Sequence, residues 1–232
     1  MCVVFPRVRP RWRGKTPACG TTAVRWVSPV ECRRGAGVSA EAPQPSGLSN
    51  RFDQAFLYAH EAHRDQRRKK TNRPYMSHLM GVASLVLQYG GDEEQAIAAL
   101  LHDVVEDCGG APRLEEIRQK FGERVARIVD GCTDSDEIPK PPWLERKKRY
   151  VERVKSEAEE VLLVSAADKL YNMREILMDL REQGADVWER FKGKRDGSLW
   201  YYGAMIEAFR GRVEKGLVAE LERTITELRA QG

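Results

Sequence analysis

From Ser49 onward apolar residues recur three and four positions apart with polar residues between them, the pattern of amphipathic helices sharing one core. The spacing predicts a first helix, capped by Ser49 or Asn50, through Phe52, Phe56, Leu57 and Ala59 to about Gln66. Ser77 opens a second, with Leu79, Val82, Ala83, Val86 and Leu87 as its buried stripe. Gly90-Gly91 closes it, and Asp92-x-x-Gln95 is a capping box for a third helix expected to run unbroken to Asp107. Leu114, Ile117 and Phe121 mark one short helix, and Val125, Ile128 and Val129 another. Residues 133–142 form a polar, proline-bearing loop, after which helical spacing resumes from Trp143 through Tyr150, Val151 and Val154. Residues 160–177 are apolar nearly all round, which marks a helix buried on most faces. A Trp- and Tyr-rich helix over 198–209 and a last one with Leu217, Leu221, Ile225 and Leu228 on one face complete the pattern. With no alternating strand, repeat or second boundary, residues 48–232 read as one all-α helical bundle.

Composition separates off the beginning of the chain. Residues 1–47 hold eight Lys and Arg against Glu31 and Glu41, a local charge of +6, so against +4 overall the remainder carries −2. This stretch also holds six of the 11 prolines, together with Cys2, Cys19 and Cys32, and shows no apolar period. It reads as a disordered basic tail. It resembles an organelle transit peptide in being Arg-rich and acid-poor, although no amphipathic helix can be drawn through its prolines. A mis-assigned start codon would explain it equally well. It lacks the apolar core of a secretory signal, and nothing interleaves its arginines with a fold as a nucleic-acid surface requires. No stretch approaches the roughly 20 apolar residues that span a bilayer. Cys108 and Cys132 have no CxxC spacing, so two isolated thiols in a reducing cytoplasm are expected.

The candidate chemistry centres on Ala98-Ala-Leu-Leu-His-Asp-Val-Val-Glu-Asp107. On a continuous helix His102, Asp103, Glu106 and Asp107 form one compact patch. Three acids in a last turn would face the negative end of the helix dipole and repel one another, so a cation is expected beside them. Imidazole with carboxylate suits a divalent Mn, Fe or Zn, which can turn bound water into a nucleophile. The plainer alternative is a solvated acidic turn with an ordinary histidine.

Other residues bear on the same question. Arg64 to Tyr75 contains six cations in twelve residues, either a solvated loop or a phosphate clamp held in shape by Pro74-Tyr75. His78 lies at the edge of the second helix's stripe. Asp168 falls in the apolar run and must be paired, by Lys169 or backbone donors, or bind metal; Asn172 follows one turn on, on the same face. His60 and His63 stand three apart, but no acid or thiol lies in register, so helix-surface histidines are expected. Trp188, Phe191 and Trp200 are expected to pack in the core rather than against a base.

His78, then His102-Asp103, then a distant Asp168 is an order of ligands that resembles the HD superfamily of metal-dependent phosphohydrolases. His63-Arg-Asp-Gln-Arg-Arg-Lys69, Pro74-Tyr-Met-Ser-His78, Ala99-Leu-Leu-His-Asp-Val-Val-Glu-Asp107 and Ala167-Asp-Lys-Leu-Tyr-Asn-Met-Arg174 resemble more narrowly the hydrolase domain of RelA/SpoT proteins and their small stand-alone relatives, over about residues 50–210. The resemblance implies that His78, His102, Asp103 and Asp168 hold one Mn²⁺, and that Glu106 and Asp107 position and activate water. It also implies that Arg68, Lys69 and Asn172 contact the nucleotide. The implied reaction removes the 3′-pyrophosphate of guanosine 3′,5′-bis(diphosphate). Leu79, Lys70 and the Pro139-Lys-Pro-Pro-Trp143 segment depart from the family pattern. Two other readings stand beside this one: an HD hydrolase of NADPH, a deoxynucleotide or a nucleoside monophosphate, and a non-catalytic nucleotide-binding module. No synthetase or regulatory motif follows, no nucleic-acid or membrane partner is expected, and the sequence leaves oligomeric state open.

Overall fold

Ser49 caps the first helix as expected: its hydroxyl accepts the Arg51 amide at 3.1 Å, and α1 spans Asn50–Ala62. In this computed structural model the described residues are 47–231 apart from 70, 136 and 138; the expected tail over 1–47 therefore lies, save for Gly47, outside them. The described residues belong to one unit, Gln44–Gly232. α1 stops four residues before Gln66, because His63 turns inward as its C-cap and its ring stacks on Tyr75 at 4.9 Å.

α2 (Met76–Gln88) and α3 (Glu93–Leu101) are joined through the Asp92–Gln95 capping box, in which each side chain takes the other residue's backbone amide. Leu79, Val82, Ala83 and Val86 are buried as expected; Leu87 is exposed and Leu85 is buried in its place. The difference follows from α2 meeting both α3 and the long helix α8 (Glu159–Gln183), which widens its apolar face beyond one stripe.

The expected single helix to Asp107 is broken. α3 ends at Leu101, His102 and Asp103 form a turn, and α4 spans Val104–Cys108. His102 Nδ1 lies 2.8 Å from the Ala99 carbonyl, the acceptor that the Asp103 amide would use in a continued helix. This weakens the expected dipole penalty: Glu106 and Asp107 stand in a helix of five residues, whose first and last turns overlap, not in the last turn of a long one.

α5 (Ala111–Phe121), α6 (Glu123–Cys132) and α7 (Trp143–Val154) follow, with the polar loop before α7 where it was expected. α8 has buried residues on most faces and is the axis against which α2, α3, α6 and α10 (Lys215–Ala230) pack. A 3-10 helix, Gly184–Arg190, which the apolar spacing does not announce, leads to α9 (Lys194–Phe209). Leu162, Leu170 and Met173 of α8 and Leu217 and Leu221 of α10 are fully buried, each contributing about 1.5–3 kcal/mol. Among the described residues there is no strand, only an isolated bridge between Arg67 and Pro74. No helix of the described residues is long and apolar enough to cross a membrane.

Candidate active site

Three separate helices bring four side chains to one point. His78 comes from the first turn of α2, His102 and Asp103 from the turn after α3, and Asp168 from the middle of α8. His78 Nε2 lies 3.3 Å from His102 Nε2, from Asp103 Oδ2 and from Asp168 Oδ1. His102 Nε2 lies 3.1 Å from Asp103 Oδ2 and 3.6 Å from Asp168 Oδ1. Ligand atoms of His78, His102 and Asp103 fall within 4.8 Å of one another, and Asp168 reaches both imidazoles from the opposite helix.

This donor set fits a divalent cation. Metal–ligand bonds of about 2.0–2.2 Å place neighbouring ligand atoms roughly 3.0–3.5 Å apart, close to the separations found here. His102 Nδ1 on the Ala99 carbonyl turns Nε2 inward, as a ligating histidine requires. Burial opposes charge on His102, but Asp103 and Asp168 outweigh it and hold the imidazole well above the ordinary range. Burial likewise opposes ionisation of the two carboxyls; the imidazoles beside Asp103, and Lys169 with the imidazoles beside Asp168, hold both well below theirs. A buried and a partly buried carboxylate, Asp168 and Asp103, thus demand positive charge at their centre, which a metal supplies better than a shared proton.

The surrounding contacts hold these groups in place. The Tyr75 hydroxyl donates to Asp103 Oδ2 at 2.6 Å, and burial, reinforced by Asp103 and Asp107, pushes its phenol far above the ordinary range, so it remains a donor. Lys169 pairs with Asp168, and Asn172 Nδ2 donates to Asp168 Oδ1 at 2.5 Å. Glu106 accepts from Lys140 at 2.8 Å and from Arg146 at 3.4 Å, while Asp107 accepts from Gln66 at 2.8 Å. His63, expected on the helix surface, is buried and meets Gln66 Oε1 at 2.6 Å, behind that contact; His60 is exposed as expected.

His78, Asp103, Glu106, Asp107, Asp168 and Asn172 border a cavity of about 580 Å³, large enough for a nucleotide. Arg67, Arg68, Lys69 and Arg73 line one wall, and Lys140, Arg146 and Lys147 another, so the cavity attracts a polyanion. The loop bearing Arg68 is held by the Arg68 amide on the Arg73 carbonyl and the Tyr75 amide on the Gln66 carbonyl. The Arg68 guanidinium lies over the Tyr75 ring and donates to Glu175 at 2.8 Å and to Asn172 at 2.5 Å. Arg68 and Asn172 are therefore fixed by one another as well as by the wall they form.

Sequence reasoning missed Tyr75, Lys140, Arg146, Glu175, Tyr201 and Tyr202 as cavity residues. Tyr75, adjacent to the helix that bears His78, carried a signal; Lys140 carried none. The expected core packing holds for Trp188, whereas Phe191 borders the cavity and Trp200 is exposed.

A helical fold that draws a His, a His-Asp pair and an Asp together from separate helices, with paired acids one turn further on, is the arrangement of a class built around a divalent metal. The chain belongs to the HD domain family, whose model matches residues 55–199. It is 40% identical over 126 residues, 53% of this chain and 68% of the relative, to the guanosine-3′,5′-bis(diphosphate) 3′-pyrophosphohydrolase MESH1 of Xenopus tropicalis. It is 43% identical over 122 residues, 51% of this chain and 65% of the relative, to MESH1 of Danio rerio. The bifunctional (p)ppGpp synthase/hydrolase SpoT of Escherichia coli is 32% identical over 136 residues, 56% of this chain and 18% of the longer protein. The solved structure of a metazoan orthologue of SpoT that hydrolyses ppGpp superposes with a TM-score of 0.67 at 29% identity, covering 78% of this chain and 97% of that one.

Proposed function

We propose that this chain removes the 3′-pyrophosphate of guanosine 3′,5′-bis(diphosphate), using one divalent ion, Mn²⁺, with Fe²⁺ or Zn²⁺ as the chemically related choices. The observation that carries the reading is the meeting of His78, His102, Asp103 and Asp168 beside Glu106 and Asp107 in a cation-lined cavity. The named activity of relatives at 40–43% identity supports the substrate. Residues 48–232 are the HD-domain unit in this reading.

His78, His102, Asp103 and Asp168 would hold the ion. When bound, it acidifies a water and draws charge from a phosphoryl oxygen. Glu106 accepts the proton from the attacking water, and Asp107, held by Gln66, orients that water. Tyr75 and Asn172 keep the Asp103 and Asp168 carboxylates aimed inward. Arg68 presents a stacking plane and a charge to the nucleotide, with Lys69 and Asn172 beside it. Water adds to the 3′-linked phosphorus, the bond from the 3′-oxygen to that phosphorus breaks, and the 3′-oxygen takes up a proton, so the products are pyrophosphate and guanosine 5′-diphosphate with a free 3′-hydroxyl. The cationic walls oppose the charge that builds on the phosphoryl oxygens. Arg67, Arg68, Lys69 and Arg73 of the basic loop line this cavity, and the reading needs no nucleic acid or membrane. Cys108 and Cys132 are both free thiols, in keeping with a cytoplasmic protein.

The test is release of pyrophosphate from guanosine tetraphosphate with and without added Mn²⁺, beside NADPH, a deoxynucleoside triphosphate and a nucleoside monophosphate. Mn²⁺-dependent release from the guanosine substrate is expected; turnover of another nucleotide alone, or of none, overturns the assignment.

A further inference from the structure

Lys140 reaches Glu106 at 2.8 Å and Asp107 at 3.8 Å, from a loop rather than a helix. Three residues on, Trp143 opens α7 and is half-buried, its indole seated on α9 and edge-on to Tyr201 at 6.5 Å. Its seat consists of two glycines. A Cβ at Gly193 would lie 2.5 Å from the indole and one at Gly197 would lie 3.1 Å from it, so the ring occupies the space their missing side chains leave. Between tip and anchor stand only Pro141 and Pro142. Each ring locks its own φ, and each proline confines the residue before it, Lys140 included, to extended backbone. Pro142 has φ −51° and ψ 138°, close to polyproline geometry. Asp134 ties the other end of the loop to α7 through Arg146 and Lys147.

We infer that Lys140-Pro-Pro-Trp143 is a rigid strut: Trp143, locked on Gly193 and Gly197, is a positioning residue that sets the Lys140 ammonium on Glu106 and so aims the catalytic carboxylates. The effect on turnover rests on the proposed reaction; the mechanical coupling of Trp143 to Lys140 does not.

Two measurements test it on the full chain, with Trp143→Ala, Trp143→Phe, Gly193→Ala, Lys140→Met and the Trp143→Ala/Lys140→Met pair. Gly193 has φ −80°, which alanine adopts freely, so Gly193→Ala dislodges the indole without backbone strain. The first measurement is reductive methylation of Lys140, read by mass spectrometry. Its rate is expected to rise several-fold in Trp143→Ala and Gly193→Ala and to stay near that of the parent in Trp143→Phe. The second is the division between kcat and KM. Trp143→Ala, Gly193→Ala and Lys140→Met should each lower kcat by about 10- to 100-fold, the cost of misplacing a reacting group; KM should change little in the first two and rise in Lys140→Met, whose ammonium also belongs to the cationic wall. The double variant should be no slower than Lys140→Met alone. Unchanged methylation in Trp143→Ala and Gly193→Ala overturns the strut; so does an undiminished kcat in Lys140→Met, or losses that multiply in the double variant, which mark Trp143 as merely structural. If the parent hydrolyses no nucleotide, the functional reading fails and methylation alone decides the strut.

Discussion

The two ends of α3 each gather carboxylates from several elements, with opposite outcomes. At its N-terminal end Asp92 and Glu94 meet Glu160 of α8 around Arg124, which lies 2.8 Å from Asp92, 3.0 Å from Glu94 and 2.8 Å from Glu160. Arg127 adds a second cation on Glu160. Every group there is partly exposed, and a guanidinium satisfies three acids in bidentate-capable geometry. At the C-terminal end Asp103 and the buried Asp168 of α8 converge as well, but face two buried imidazoles. Acids neutralised by arginine at the surface fasten helices together. Acids set against buried histidines leave a charge deficit that a bound ion can fill, and that deficit separates a site from a clasp.

The sharpest way to break the comparison is His102→Ala, which should abolish both bound metal, by elemental analysis, and turnover; metal retained at parent stoichiometry would mean that the centre is not the ion's site. Glu106→Gln should keep the metal and lower kcat by about 10²–10⁴-fold, the usual worth of a general base. Parallel loss of metal would make Glu106 a ligand instead. Arg124→Met, the counterpart at the other end, should leave metal content and kcat unchanged and cost about 1 kcal/mol in denaturant unfolding, because its pairs are partly solvated.

The same clasp carries a pH signature. Arg124 and Arg51 hold the Glu94 carboxyl below its ordinary 4.5, and Arg127 and Arg124 do the same for Glu160. A depressed carboxyl contributes stability that is complete above the unfolded value and is lost as pH falls through the folded one. Tm should therefore decline on acidification below about pH 4.5, and the slope should be shallower in Arg124→Met. An identical slope in both proteins would remove the clasp from the account of acid stability.

The helices were legible because their signals are local. Ser49, the Asp92–Gln95 box, the stripe of α2 and the all-round apolar run of α8 each act within a few residues, and each appears where expected save that Leu85 replaces Leu87 in the stripe. Where local signals conflicted with distant ones, the distant ones won. α1 ends early because His63 finds Tyr75, and the helix through His102 breaks where the imidazole takes the Ala99 carbonyl. That break moved Glu106 and Asp107 from the last turn of a long helix into a separate helix of five residues.

By itself, the sequence determined that the chain is all-α, which residues are apolar at helical spacing, and which acids and histidines are available for chemistry. Only the tertiary structure decided that His78 and Asp168, ninety residues apart, meet at 3.3 Å, that Tyr75 donates to Asp103, and that Lys140 reaches Glu106 from a loop anchored by an indole on two glycines. The reason is physical: helix periodicity depends on neighbours in the chain, whereas a buried charge takes its partners from whatever elements the packed core brings within about 4 Å.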